Sequence, residues 1–220
     1  MNTDVQIREG EINFRGHQTW YRIVGRNEQP AKLPLLCLYG GPGAPHDHLE
    51  PLEVMAATGR RVILYDQLGC GHSDQPHNPT LWTVELYVAE IQAIRQALGL
   101  ERVHVLGQSW VGMLGMEYAL TQPEGLESLI VADSPASMEQ WLSEANRLRE
   151  DLPDEVQQTL LNHETAGTTS DPDFQEAMLE FFRCHVYRLD PWPDCVNRAF
   201  AKLEANRMAS PVDCLIEWCF

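Results

Sequence analysis

Four short apolar runs, at residues 33–39, 61–65, 103–106 and 129–132, limit what this chain can fold into, because each closes at a glycine or a polar turn. Runs of that length and composition read as parallel strands buried on both faces. Between them lie segments with helical spacing. Residues 83–98 place Val84, Tyr87, Val88, Ile91, Ile94 and Leu98 on one face, and residues 111–120 open directly after the third run. Strand alternating with helix gives an α/β architecture with a mostly parallel sheet covered on both sides. Reactive groups in such sheets gather at the carboxyl ends of the strands. Ahead of the first run, residues 5–14 and 17–24 alternate about Arg15-Gly16, the pattern of an opening β-hairpin.

From Pro135 the strand signals stop. Residues 138–152, 154–163 and 172–188 read as helices, punctuated by Pro153, Gly167 and Pro191-Trp192-Pro193, with Trp141, Phe174, Met178, Phe181 and Phe182 as packing residues. We therefore expect a core over residues 1–134, a helical cap over 135–206 inserted after the fourth run, and an atypical tail over 207–220. A length of 220 residues accommodates one large domain carrying such an insertion.

The 32 acidic against 16 basic residues leave a formal net charge of −16. Such a surface repels phosphate backbones and anionic lipid headgroups, which argues against nucleic acid and membrane as partners, and it attracts cationic groups such as free amino termini. The N-terminus lacks a basic segment followed by an apolar one, and no run reaches the roughly 20 apolar residues that span a bilayer. A cytoplasmic location is the expectation. Cys37, Cys70, Cys184, Cys195, Cys214 and Cys219 are scattered without paired spacing, so they read as thiols. Cys184-His185 with Cys195, and His46-Asp47-His48, each lack the second half of a metal site. We expect no metal and no cofactor.

The strongest local signal is Val105-Leu106-Gly107-Gln108-Ser109-Trp110-Val111-Gly112, a strand entering a helix through a serine flanked by small residues. Such a turn projects the hydroxyl from the sheet, and the helix N-terminus adds a positive dipole for a developing oxyanion. Ser109 is the candidate nucleophile. Tyr39-Gly40-Gly41-Pro42-Gly43 follows the first run as a glycine-rich turn whose N–H groups are free to face a pocket. The Gly41 and Trp110 N–H groups are the candidate oxyanion donors. Asp66-Gln67-Leu68-Gly69-Cys70-Gly71-His72-Ser73, after the second run, reads as a turn that shapes the rim rather than reacts.

Together the series LYGGPG, YDQLGCGHSDQP and GQSWVGMLGMEYAL resembles the proline iminopeptidase family of α/β-hydrolases, including tricorn-interacting aminopeptidases and amino-acid amidases, from about residue 5 to Asn206. The resemblance implies an α/β-hydrolase fold with a helical cap. It also implies a serine hydrolase that releases an N-terminal residue, proline or another, from small peptides or amino-acid amides through an acyl-enzyme and without a cofactor.

Three departures from the family pattern bear on activity. Tyr39 stands where the family's glycine-rich loop begins with His. Val111 replaces the second glycine of Gly-x-Ser-x-Gly, and a β-branched side chain there is expected to overpack the crossing or shift Ser109, at about 1–3 kcal/mol. The family's triad aspartate and histidine lie on later strand ends than this sequence reaches, the last strands are expected to be lacking, and residues after Asn206 are unlike the family. Among internal substitutes, Asp133 closes the fourth run, His163 and His185 fall in expected cap helices, and His72 and His104 precede the serine. The expectation is an impaired peptidase, with a non-catalytic hydrolase-like domain or an esterase on the same scaffold as alternatives. The edge at 129–132 is expected to stand open and to favour association or loose packing.

Overall fold

Arg15 and Gly16 both take positive φ, 52° and 87°. Two such residues in succession match the right-handed twist of antiparallel strands, so they close a two-residue hairpin. The hairpin joins β1 (Ile7–Phe14) to β2 (His17–Val24), with Phe14 opposite His17. The structure, a computed structural model, describes residues 5–26, 32–38 and 43–205. Tyr39 to Pro42 and the segment after Ala205 lie outside the described residues, and with them Gly41 and the 207–220 tail.

The apolar runs become β3 (Leu35–Leu38), β4 (Val62–Tyr65), β5 (Val103–Gln108) and β6 (Leu126–Ala132). The described strands form one sheet in the order β1-β2-β4-β3-β5-β6. β4, β3, β5 and β6 run parallel, while β2 meets β4 antiparallel. Every residue of β3 and β4 is buried, as strands covered on both faces require. β6 is the outer strand among those described, with Ile130 and Val131 44% and 43% exposed.

α1 (Val84–Ala97) starts at Thr83, whose side chain accepts from the Leu86 N–H at 3.2 Å. Of the face its spacing assigns to the core, Tyr87, Ile91 and Ile94 are buried and Val88 and Leu98 partly so, whereas Val84 in the first turn is exposed and Leu86 is buried in its place. Tyr87, Ile91 and Ile94 join Leu36, Leu38, Ile63, Tyr65, Val105, Val111, Leu114 and Tyr118 in the principal core, to which α2 (Trp110–Leu120) contributes its inner face, while Leu86 packs with Phe14 and Leu68. Residues His46–Thr58, which fill the place of the first crossover helix, form a 3₁₀ helix with Pro51 inside it. A proline lacks the N–H that an α-helix would use there and clashes with the preceding turn, which favours the tighter coil.

The chain divides into two compact units, one comprising the described residues up to Ala136 and from Cys195, the other Ser137–Asp194. The second unit contains α3 (Met138–Arg149), α4 (Asp154–Ala166) and α5 (Pro172–His185). It has its own core of Leu152, Leu160, Phe174, Ala177, Met178 and Phe181. The Arg149–Glu164 pair adds two hydrogen bonds, at 2.6 and 3.0 Å, within it. The expected cap helices 138–152 and 172–188 are shorter in the structure, because α3 ends at Arg149 and α5 at His185. α6 (Asp194–Ala205) was not legible as a helix after the Pro191-Trp192-Pro193 break, and from Cys195 it belongs with the sheet. It buries Val196 and Ala199 and is also linked by charge. Lys202 Nζ lies 2.7 and 3.0 Å from the two carboxylate oxygens of the buried Asp47, and Arg198 Nε lies 3.2 Å from the same group. Burial alone would raise the Asp47 pKa, but Lys202, His46 and Arg198 outweigh it and hold the carboxyl below the usual range.

Glu90 on α1 is fully buried. Its Oε1 accepts from the Thr19 hydroxyl at 2.7 Å and from the Leu68 N–H at 2.9 Å, while Oε2 has no partner among the described residues. Burial pushes its pKa up to about 7 despite those two donors. A carboxyl whose folded pKa lies above its unfolded value binds more protons when folded, so stability declines as pH rises from the unfolded value of 4.5 through about 7. Glu90→Gln should remove this term. The variant is expected to gain on the order of 3 kcal/mol relative to the parent between pH 4 and pH 8. Thermal melts of both proteins across that range check it, and parallel pH profiles would reject it.

Candidate active site

Ser109 stands between β5 and α2 with φ 59° and ψ −131°, a backbone conformation that side chains other than glycine's rarely adopt. Three interactions hold it there. The Ser109 N–H donates to Ala132 O at 2.9 Å, the Gly112 N–H donates to Ser109 O at 2.9 Å, and the Ser134 hydroxyl donates to the same Ser109 carbonyl at 2.7 Å. The side chain does not cap the helix. Its backbone is thus tied on both sides, and the residue is partly exposed.

The strand and helix cross where side chains are absent. A Cβ added to Gly107 would stand 2.4 Å from Val111 O and 2.7 Å from Gly112 Cα, and one added to Gly112 would stand 1.8 Å from Ser134 Oγ. The crowding expected at Val111 therefore falls on Gly107 and Gly112. Val111 itself is completely buried in the principal core, and Ser109 keeps its strained conformation beside it.

The Trp110 N–H is the first of α2, one of the four that no helical carbonyl can satisfy. The Trp110 indole meets Tyr87 edge-on, with ring centroids 5.6 Å apart. That packing fixes the first turn of the helix. The Gly41 N–H, the other expected oxyanion donor, lies outside the described residues.

The Asp66 turn is tied to the segment that follows the glycine-rich loop. Asp66 is fully buried; Oδ1 accepts from the His46 N–H at 2.8 Å and lies 2.9 Å from His46 Nδ1, while Oδ2 accepts from the His72 N–H at 2.8 Å. Gly71, at φ 54°, passes so close that a Cβ would stand 2.1 Å from Oδ2. Trp20 stacks against both imidazoles, with centroids 4.4 Å from His46 and 5.0 Å from His72. His46, Asp66 and His72 bring ligand-type atoms within 4.8 Å of one another, as do His163, Asp171 and Asp173 in the helical unit. In the first group both carboxylate oxygens already serve backbone donors, and in the second Asp171 caps α5, so both have structural work that accounts for them.

Among the described residues no histidine or carboxylate hydrogen-bonds the Ser109 hydroxyl. His104 Nδ1 lies 2.8 Å from Ser128 Oγ on the neighbouring strand, and His163 Nδ1 lies 2.8 Å from Thr168 Oγ1 within its own unit. His185 closes α5, and Asp133 follows β6 with φ 49°. Two residues that the pattern did not single out flank the serine. Gln108 precedes it directly, and His48, from the 3₁₀ helix, places Nε2 3.3 Å from Gln108 Oε1 and Nδ1 3.2 Å from Pro45 O. Burial chiefly lowers the His48 pKa, with His46 adding to the effect and Gln108, Pro45 and Asp47 opposing it.

Because Val111 fills core volume, its truncation should cost stability. Val111→Ala is expected to lose about 1–3 kcal/mol. Chemical denaturation of the two proteins checks this, and a gain would show that the valine is overpacked after all.

Residues 34–218 match the family model described as alpha/beta hydrolase fold. The proline iminopeptidase of Lactobacillus helveticus strain DPC 4571 is 43% identical over 198 residues, covering 88% of this chain and 67% of the relative. That of Clostridium botulinum strain Hall is 41% identical over 197 residues with the same coverage, 88% and 67%. Among solved structures, the proline iminopeptidase of Mycobacterium smegmatis superposes with a TM-score of 0.82 at 44% identity over 92% of this chain and 69% of its own. VinJ superposes with 0.88 at 39% identity, over 93% and 70%. The chain spans about two thirds of the length of these relatives. With the parallel sheet, the strand-serine-helix junction and this similarity over most of its length, the chain belongs to the proline iminopeptidase family of α/β-hydrolases, a family of hydrolytic enzymes.

Proposed function

We propose that Ser109 is the nucleophile of a peptidase that releases an N-terminal residue, proline or another, from small peptides and amino-acid amides. The observation that carries this reading is the tied, strained backbone of Ser109 at the carboxyl end of β5 and the N-terminus of α2. The serine oxygen adds to the carbonyl carbon of the first residue, and its proton passes by way of a base to the leaving amine as the C–N bond breaks. Water then adds to the acyl-enzyme, releases the free amino acid and restores the hydroxyl. The Trp110 and Gly41 N–H groups take the negative charge that develops on the carbonyl oxygen, aided by the positive end of α2. No residue among those described is assigned as the base.

The reading extends to a cytoplasmic protein that needs no metal or cofactor and has neither nucleic acid nor membrane as a partner. The net charge of −16 supports the last point, as does the absence, among the described residues, of a helix long and apolar enough to cross a membrane. It also suits substrates with a cationic amino terminus.

One observation favours a second reading, a ligand-binding domain without turnover: no described histidine hydrogen-bonds the Ser109 hydroxyl. A fluorophosphonate probe separates the two, because an activated serine labels and an unassisted one hardly does. The chain is expected to label and to hydrolyse prolinamide or proline nitroanilide, and Ser109→Ala to lose both. Labelling or turnover that persists in Ser109→Ala would reject the assignment, and an unlabelled parent protein would favour the binding domain. Turnover of short acyl esters in place of amides would mark an esterase.

A further inference from the structure

We propose that Tyr87 is a positioning residue for the oxyanion donor: its ring, backed by the rim turn at Leu68-Gly69, holds the Trp110 indole and so sets the direction of the Trp110 N–H. The proposal rests on Ser109 being the nucleophile, because that gives the Trp110 N–H its task.

The peptide unit between Ser109 and Trp110 is planar, with the Ser109 carbonyl on one edge and the Trp110 N–H on the other. The carbonyl edge is tied, because Ser109 O accepts from the Gly112 N–H at 2.9 Å and from the Ser134 hydroxyl at 2.7 Å. Hydrogen bonds to an oxygen restrain that oxygen and leave the plane free to pivot about it. The N–H edge has no helical carbonyl to stop the pivot. Ser109 supplies a force to drive it, since its φ of 59° is strained and a turn of the adjoining bonds would relax it. The opposite edge must therefore be fixed through Trp110 itself, and its side chain is the handle.

That handle rests on Tyr87. The two rings meet at 82° with centroids 5.6 Å apart, in the range where edge-on aromatic pairs attract. Tyr87 is 3% exposed and is supported from behind. Its ring lies nearly parallel to Trp82, at 13° and 6.3 Å, and its hydroxyl donates to Leu68 O at 3.4 Å. Trp82 in turn lies against Gly69, which has φ 94° and where a Cβ would stand 2.7 Å from Trp82 Cη2. The Leu68 N–H donates to Glu90 Oε1 at 2.9 Å, three residues after Tyr87 on α1, so helix and rim turn are tied through both groups of one peptide residue. Burial, with Cys70 and Glu90 acting in the same direction, holds the Tyr87 phenol well above its ordinary pKa, so the ring stays neutral near the developing oxyanion.

The contacts differ in strength, which makes the proposal specific. At 3.4 Å the hydroxyl contact is long for an O–H···O bond, so the ring carries the positioning and phenylalanine serves in its place. Leucine offers no ring to stop the indole, and the N–H edge tilts. The carbonyl edge stays tied, so substrate binding is largely kept while stabilisation of the transition state falls.

The test follows hydrolysis of proline nitroanilide and fluorophosphonate labelling in the whole chain and its variants. Removing an oxyanion donor lowers kcat about 10²–10³-fold, so the tilted donor of Tyr87→Leu is expected to lower it about 10-fold or more with KM little changed. Labelling, which places a phosphoryl oxygen at the same donors, should slow in step, and Tyr87→Phe should restore most of both. Trp110→Leu keeps the backbone N–H and removes the handle. It should lower kcat alike, with no further loss in the double variant, and it serves if Tyr87→Leu does not fold. Ile91→Ala truncates another buried side chain of α1 and should lose stability but not kcat. The residual dipolar coupling of the Trp110 N–H reports the direction of that bond without turnover, and it should change in Tyr87→Leu but not in Ile91→Ala. An unchanged kcat in Tyr87→Leu, an equal loss in Ile91→Ala, a change confined to KM, or an unmoved N–H direction would each overturn the proposal. A parent protein that neither labels nor turns over removes Ser109 as the nucleophile instead. The dipolar coupling then still tells whether Tyr87 sets the N–H direction, so the two failures are told apart.

Discussion

The approach of α2 to β5 across Gly107 and Gly112 is the constraint on which the site depends. With backbone against backbone at that crossing, the turn between strand and helix has no room to relax, and Ser109 is held at positive φ. Such a conformation costs on the order of 1–3 kcal/mol and persists only where the surroundings overdetermine it. Here they do so through the hydrogen bonds to Ala132, Gly112 and Ser134 and through the buried Val111. The same crossing places the first N–H of α2 next to the serine, so strain and dipole come from one packing event.

Two fully buried carboxylates show how differently such groups are accommodated. Asp66 has donors on both oxygens, and it ties the strand end at β4 to the start of the 3₁₀ helix and to the turn at Gly71. Replacing it would leave the His46 and His72 N–H groups without this acceptor, at about 1–3 kcal/mol for each one that stays buried and unpaired. Glu90 has donors on one oxygen only, and its pKa rises accordingly. Asp66 organises the rim of the site, whereas Glu90 makes the scaffold beneath it sensitive to pH.

The ion pairs of Asp47 with Arg198 and Lys202 join residues far apart in sequence, so α6 returns to the sheet after the helical unit through charge as well as packing. The 3₁₀ helix carries both Asp47 and His48. One short segment therefore anchors α6 through Asp47 and reaches Gln108, beside the serine, through His48.

Much of this was legible in the chain. Doubly buried strands must be apolar throughout, so β3 and β4 announced themselves, and the period of α1 named Leu86's neighbours Tyr87, Ile91 and Ile94 as core. A serine between a strand and a helix has few structural uses, which is why Ser109 and the Trp110 N–H could be named from local spacing, and the same three motifs sufficed to place the chain in its family. Other features depend on contacts between distant segments, on which local pattern is silent. That the crowding falls on Gly112 and not on Val111 depends on which side of α2 faces Gly107, and about 100° of helix rotation separates the close crossing from a buried valine. The helix at Asp194–Ala205 is attached through Asp47, some 150 positions earlier. His48 and Gln108 carry no motif at all; they become a pair only because the sheet order sets β5 beside β3, bringing the segment that follows β3 against the end of β5. Short-range residue types and periods determined most of the strands and helices and the serine at the strand–helix junction, because those follow from steric and hydrophobic rules within a few residues. Only the tertiary structure decided which buried polar groups found partners, since that is a matter of distances between segments that the chain itself holds apart.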